Sequence, residues 1–203
     1  MTEAIAASSI AQRAFVYMEA GPLSSFGDDS PQARDAAREY PVALSKALRS
    51  ADWSFASRLF NLPEITSETL DPNLPHGFRW APEMLAIRQV FDRAMKWRTD
   101  ERITRTDAAG PLTLRATILV TKETDLPADF QDYVALVMAA ALSPFYASSA
   151  NRAESLLARA DDAQTKAKRA DRGQASQARW DGRDDLDHGG SWDQMVRCGV
   201  WGG

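Results

Sequence analysis

Two residues that could support nucleophilic chemistry lie near the end of the sequence, His188 and Cys198. A histidine beside a cysteine can take the thiol proton and create a thiolate nucleophile. Catalysis of this kind requires side chains that structured elements hold rigidly. Both residues lie in a Gly- and Asp-rich stretch, which is typical of irregular structure. We therefore expect an ordinary thiol and imidazole here, and no catalytic residue.

The acidic run DGRDDLD, residues 181–187, loosely resembles a calcium-binding loop. The EF-hand pattern needs Asp or Asn at positions 1, 3 and 5 and Glu at position 12. Counted from Asp181, position 3 is Arg183 and position 12 is Trp192, so the pattern fails. The phosphate-cradling patterns GxxxxGK[ST] and GxGxxG are absent from the sequence. We therefore predict no metal, no cofactor and a solvated acidic segment.

The charge balance argues against a general nucleic-acid binder. The net charge is −4 and the isoelectric point about 5.3, whereas a protein that neutralises phosphates needs surplus Lys and Arg. The basic run KAKRADR, residues 166–172, is typical of a helix C-terminus, where cations offset the macrodipole and face water.

The composition is that of an ordinary globular protein, with 203 residues, 44% hydrophobic and 26% charged. This length accommodates one sizeable domain and an appendage. The single cysteine excludes an internal disulfide and a zinc site built from cysteines. The sequence shows no run of about 18 apolar residues and no secretory signal pattern, so we expect neither a membrane span nor a leader.

Hydrophobic periodicity predicts four helices. Their expected ranges are residues 3–19, 31–51, 127–142 and 151–172. Ser30 followed by Pro31 predicts an N-cap and first helical position, whereas Pro41 predicts a kink or a split. Gly21-Pro22 is expected to end the first helix and Pro144 the third. The third helix is apolar on nearly all sides, which predicts a central, buried position.

The clearest strand signal covers residues 112–120, where apolar residues alternate. Residues 102–106 are expected to be its hairpin partner, joined through a turn that contains Gly110. Weaker signals predict a short strand or extended segment over WSFASRLF, residues 53–60, a strand at 85–91 and an irregular loop at 61–79.

The last predicted helix carries small residues at a heptad-like spacing. These residues are Leu156, Ala160, Ala163 and Ala167. Such a face lets a second helix approach closely, so we predict that identical subunits contact each other there.

Three tryptophans, Trp180, Trp192 and Trp201, lie in the Gly- and Asp-rich end of the sequence. Each could bury about 150–250 Å² of surface, which such a segment cannot supply by itself. Either the segment folds back on its own domain, or it docks on a partner with Met195 and Val196 as further anchors. We favour docking on a partner.

The expected fold class is α+β and predominantly helical: a four-helix-bundle-like body, residues 1–172, with a small antiparallel β-sheet, and an extended C-terminal arm, residues 173–203.

The order of three motifs resembles a known family. A helix runs into WSFA, residues 53–56; LPADFQDYVALVMAAALS, residues 126–143, follows; and RAESLLARADDAQTKAK, residues 152–168, comes last. Over about residues 3–170 the sequence resembles the head–tail adaptor proteins of tailed bacteriophages, also called connector or tail tubular proteins. A siphophage or a gene transfer agent particle would carry a similar element.

The resemblance implies a structural role in the virion, at the head–tail junction, after assembly in the host cytoplasm. Adaptors of this family form a ring, usually of twelve copies, beneath the portal protein. They extend the channel through which double-stranded DNA passes without specific binding, and they meet a stopper or tail nozzle protein below. The family has no catalytic activity and no cofactor, and its C-terminal segments commonly insert against the portal.

Two other functions stay open at this point. A DNA-packaging ring protein, such as a small terminase subunit, would need a helix-turn-helix segment and salt-sensitive DNA binding, and we find no convincing segment of that kind. A small enzyme would have to use Cys198 and His188.

Overall fold

The computed structural model describes residues 5–23, 27, 29–65, 71–92, 94–146 and 151–175, with the backbone alone over 173–175. The chain divides into two compact units, Met1–Asp171 and Arg172–Gly203. The helices are α1 Ser9–Tyr17, α2 Pro31–Arg49, α3 Ala128–Tyr146 and α4 Asn151–Ala175. The strands are β1 Ser57–Leu62, β2 Glu64–Ile65, β3 His76–Arg79, β4 Met84–Val90, β5 Trp97–Asp100, β6 Ile103–Thr106 and β7 Leu112–Ile118.

The strands form two antiparallel sheets, which corrects the predicted fold class. One sheet has the order β1-β7-β4 and the other β2-β3-β6-β5. Apolar side chains from both sheets share a core of their own. These buried residues are Leu62, Phe78, Met84, Val90, Leu112, Leu114 and Ala116. A predominantly helical body with one small sheet is therefore wrong, because a two-sheet module lies in the chain between α2 and α3.

The predicted hairpin between residues 102–106 and 112–120 is also wrong. β6 pairs with β3 and β5, whereas β7 pairs with β1 and β4, so the two strands belong to different sheets. The chain changes sheets through a loop in which Gly110 has a φ of 103° and donates its N–H to Glu64 Oε2 over 3.4 Å. The hairpin partner of β6 is β5, through a two-residue turn in which Glu101 has a φ of 54°. The predicted loop at 61–79 contains β2 and β3.

Helix α3 is the centre of the helical body. It is buried on almost every side, and α1 and α2 both pack along it. The prediction that Pro144 ends this helix is wrong, since α3 continues to Tyr146. Pro144 cannot donate to the carbonyl of Ala140, but the Ser143 hydroxyl donates to that oxygen over 3.2 Å. The carbonyl thus keeps a partner.

Local signals set the start of α2 and the end of α1. Ser30 accepts from the Ala33 N–H over 3.0 Å, and Pro31 is the first helical residue, as predicted. Helix α2 continues through Pro41 without a split. Helix α1 ends at Tyr17, before the predicted Gly21-Pro22 stop, because Glu19 adopts a left-handed φ of 61°. In this conformation the N–H groups of Glu19 and Ala20 donate to the carbonyls of Val16 and Phe15 at the end of the helix.

The WSFA motif forms the junction between α2 and the sheets. Residues Ser54–Ala56 form a 3-10 turn, and β1 starts at Ser57. The predicted strand over 53–60 is therefore wrong for its first half and confirmed from Ser57 onward. The Trp53 indole is buried, donates to the Ala47 carbonyl over 2.9 Å and meets the Phe130 ring edge-on at 5.0 Å. The indole thereby joins α2 to α3.

Candidate interaction surfaces

Arg88 links the sheet module to the helical body. From β4 its guanidinium donates to the carbonyls of Leu48, Arg49 and Ala51 over 3.2, 3.0 and 2.6 Å. Its Nε donates to Thr117 Oγ1 of β7 over 2.7 Å. Burial lowers the pKa of Arg88, and the nearby Asp52 carboxylate opposes this shift. A cation from the sheet thus caps the C-terminus of α2.

Two carboxylates cap other element ends over long sequence distances. Glu123 accepts from the Ser9 N–H and hydroxyl, each over 3.0 Å, and from the Ser8 hydroxyl, at the start of α1. Asp171 of α4 accepts from the Ser54 N–H over 3.0 and 3.1 Å and from the Ser54 hydroxyl. These contacts fix the α4 end of the first unit beside the residues that follow α2.

A titratable pair lies where β2 meets β3. His76 Nδ1 and Glu64 Oε1 are 2.7 Å apart, and a carboxylate can only accept, so the imidazole donates. This hydrogen bond and the Gly110 N–H lower the pKa of Glu64. Within the described ranges no three His, Cys, Asp or Glu side chains group closely enough to hold a metal ion. His188 and Cys198 lie outside the described residues.

The predicted subunit seam on α4 lies in the core of its own chain. Leu156, Ala160 and Ala167 are buried, and Ala163 is half-buried against the same cluster. The neighbouring Gln164 donates to the Tyr133 hydroxyl of α3 over 3.1 Å. The chain itself thus covers Leu156, Ala160 and Ala167, and their contact with a second copy stays a prediction. The same spacing describes a core-facing helix and a subunit seam.

The predicted portal-binding residues lie outside the described part of the chain. They are Trp180, Trp192, Met195, Val196 and Trp201. Their role stays a prediction.

The outward side of α2 presents an apolar and basic surface, which we call the α2 face. It surrounds a shallow depression of about 740 Å³, whose described lining is Pro41, Val42, Ser45, Lys46, Arg49 and Ser50. Val42 is 59% exposed. No ion pair joins Lys46 or Arg49 to an acid among the described residues.

Sequence reasoning did not identify the α2 face, although it carries a readable signal. The buried stripe of α2 includes Ala43, Leu44, Ala47 and Leu48. Val42 lies outside this stripe, and Lys46 and Arg49 follow it at helical spacing. An apolar residue among cations on the solvent side of an amphipathic helix is the pattern of a contact surface.

The outer side of the β1-β7-β4 sheet presents a second apolar surface, which we call the sheet face. Leu59 of β1 pairs with Arg115 of β7 and is 61% exposed. The Arg115 guanidinium lies 5.9 Å from the centre of the Phe91 ring, which is 43% exposed. An arginine over an exposed aromatic ring, with an exposed leucine at the paired position, is typical of contact surfaces.

A smaller cleft of about 250 Å³ lies between α1, α3 and α4. Arg13 Nη1 pairs with Asp132 Oδ1 over 2.6 Å, and the Arg159 guanidinium lies 5.0 Å above the Tyr17 ring. Burial, and next the charge of Asp132, raises the pKa of Tyr17. Both signs of charge line this cleft, and its strongest contacts join elements of the same chain. These contacts join α1 to α3 and to α4.

Among the described residues, none of the helices combines the length and the apolar composition that a membrane span requires. No protein-family model matches the sequence, and a comparison with curated proteins finds no match.

Proposed function

We propose that the protein is a structural head–tail adaptor of a tailed-phage-like particle, which forms a ring beneath the portal and extends the DNA channel. The observation that carries this proposal is the presence of two unlike exposed apolar surfaces, the α2 face and the sheet face. A ring needs heterologous contacts, in which one patch of each copy meets a different patch of the next. Two such surfaces on one chain supply this requirement.

The proposal includes the arm, residues 173–203, as the part that docks on the portal. Its tryptophans offer the large apolar area that anchors an interface. The motif order described above is the second support. The partners are then the portal protein, other copies of this chain, and a stopper or nozzle protein on the tail side.

Two arginines of the β2-β3-β6-β5 sheet that pair with acids favour the adaptor over the alternative of a DNA-packaging ring protein. Arg98 pairs with Asp71 and Asp100, each over 2.9 Å, and Arg105 pairs with Asp100 over 3.3 Å. Cations that internal acids already neutralise release few counterions from DNA. Weak, non-specific contact suits a channel through which DNA slides. A mobility shift that is tight and salt-dependent would favour the alternative.

Co-sedimentation of the purified full chain with portal rings from the same genome tests the proposal. The wild-type chain is expected to sediment with the rings. The triple variant Trp180→Ala, Trp192→Ala and Trp201→Ala should lose most of this binding, with an unchanged far-ultraviolet circular dichroism spectrum. Asp193→Ala with Arg197→Ala, also in the arm, is the matched control and should bind normally. Wild-type chain that stays in the supernatant would refute the adaptor role.

A further inference from the structure

The α2 face carries positive charge that the fold does not need. Cations in the last turn of a helix often serve only to offset the macrodipole. Here Arg88 already caps that end with three hydrogen bonds to carbonyls. Lys46 and Arg49 are exposed and face the depression lined by Pro41 and Val42. They are therefore available to bind an acidic partner.

The sequence contains one segment with the complementary chemistry, residues 181–187, which we call the acidic segment. It has four Asp and one Arg, which gives a net charge of −3, and Leu186 lies between two of the Asp. The α2 face offers two cations around an exposed valine. Opposite charges around an apolar centre are the pattern of a specific, electrostatically steered contact.

The available chain length is compatible with an exchange between neighbouring copies. Asp171 binds Ser54, so the first unit ends near the residues that follow α2. From Ala175, the last described residue, six residues lead to Asp181 and can span roughly 20 Å at most. The arm thus starts from a point in the chain that contacts the residues after α2, and in a ring each copy's arm can act on the next copy.

We propose that the acidic segment of a second copy docks on the α2 face and joins neighbouring subunits. This inference rests on the proposed ring and names the segment that meets the α2 face, while the sheet face stays a separate contact surface. Lys46 and Arg49 bind the Asp side chains, and Leu186 covers Val42. The arm tryptophans lie outside the acidic segment, one directly before it and two after it, and stay available to the portal.

Charge reversal in the full chain tests this contact. One variant carries Lys46→Glu with Arg49→Glu, and a second carries Asp184→Lys with Asp185→Lys. Sedimentation velocity over a concentration series should show that each variant associates at least about tenfold more weakly than wild type, a change of roughly 1.4 kcal/mol or more. Arg34→Glu with Arg169→Glu is the control. It makes the same change of charge at exposed sites away from the α2 face and should associate as wild type does.

Mixing the two reversed variants shows whether the acidic segment binds the α2 face of another copy or of its own chain. A contact between copies predicts that the mixture associates like wild type, because each face meets a complementary segment. If one chain that carries all four substitutions recovers while the mixture does not, the segment binds its own chain and the proposal is wrong. Reversed variants that associate normally, or a wild-type chain that is monomeric at every concentration, also overturn it. Co-sedimentation of the same variants with portal rings tests the adaptor role separately. Variants that still bind the portal leave that role standing even if the contact between copies is wrong.

Discussion

Replacing Arg88 with methionine should destabilise the protein only through the loss of the hydrogen bonds that Arg88 donates. Methionine keeps most of the apolar stem but removes every donor. The carbonyls of Leu48, Arg49 and Ala51 then lose a charged partner, and Thr117 loses a donor at 2.7 Å. The α2 end would be left without its cation.

The expected loss in the free energy of unfolding is about 2–4 kcal/mol. A hydrogen bond to a charged group contributes about 1.5–3 kcal/mol, and four such bonds do not add fully because water reaches part of the site. Arg88 is partly buried, which disfavours its charged form, and its pKa is lowered accordingly. Removal of the side chain therefore returns part of the desolvation cost.

Urea unfolding followed by circular dichroism and by tryptophan fluorescence measures this effect. We expect a lower midpoint for Arg88→Met and a separation of the two curves, because Arg88 joins the helical core to the sheet core. Arg58→Met is the matched control. Arg58 pairs with Glu83 over 3.4 Å with half of its side chain exposed, so its loss should change stability by about 0.5 kcal/mol or less. An Arg88 variant within that margin would refute the reasoning.

Two further predictions follow from single contacts. Asp171→Ala should lower the free energy of unfolding by about 2–3 kcal/mol, because the Ser54 N–H loses its carboxylate acceptor. The control is Asp161→Ala, an exposed position on the same helix, which should have almost no effect in the same urea titration. Equal losses in the two variants would contradict the prediction. Burial, with the hydrogen bond to Asp35, raises the pKa of Tyr146 from 10.0 to about 12. The tyrosine then stabilises the fold fully below pH 10 and loses this contribution as the pH rises to 12. Absorbance titration should show a late tyrosinate that Tyr146→Phe removes, and identical titration curves would contradict the assignment.

Sequence alone predicted the helices well because their signals are local. Ser30 with Pro31 starts α2, and the continuous apolar run of α3 indicates a buried centre. The local rule failed at Pro144, where the Ser143 hydroxyl replaces the missing donor. Helix propensity does not predict that a side-chain hydroxyl takes the place of a missing backbone donor.

The sheets escaped prediction because their pairing is not local. β2 has two residues and β3 and β6 have four each, too few to show clear alternation. Thr104 and Thr106 are fully buried although they are polar, and the Trp80 indole donates to Thr104 Oγ1 over 2.9 Å. A buried threonine with a distant partner reads as a surface residue in the sequence. The adjacency of β6 and β7 in the chain then suggested a hairpin that does not form.

Interaction surfaces are hard to predict from the sequence for a related reason. A small-residue stripe reports that something packs closely on a helix, but not whether the partner belongs to the same chain. On α4 the partner is the chain's own core around Leu156 and Ala160. On α2, by contrast, the exposed valine stands outside a buried stripe that already satisfies the core. Excess apolar residues beyond the core-facing stripe are therefore the better sequence indicator of an external contact.

The long-range caps give these surfaces a fixed geometry. Arg88 fixes the end of α2 to the sheets, Glu123 fixes the start of α1, and Asp171 fixes α4 beside Ser54. Each contact joins segments far apart in sequence, so relative motion of the helices and the sheet module must break charged hydrogen bonds. A closed ring requires one constant angle between the patches of each subunit, since small errors accumulate around the circle. A body whose element ends are fixed in this way can hold the α2 face and the sheet face at such an angle.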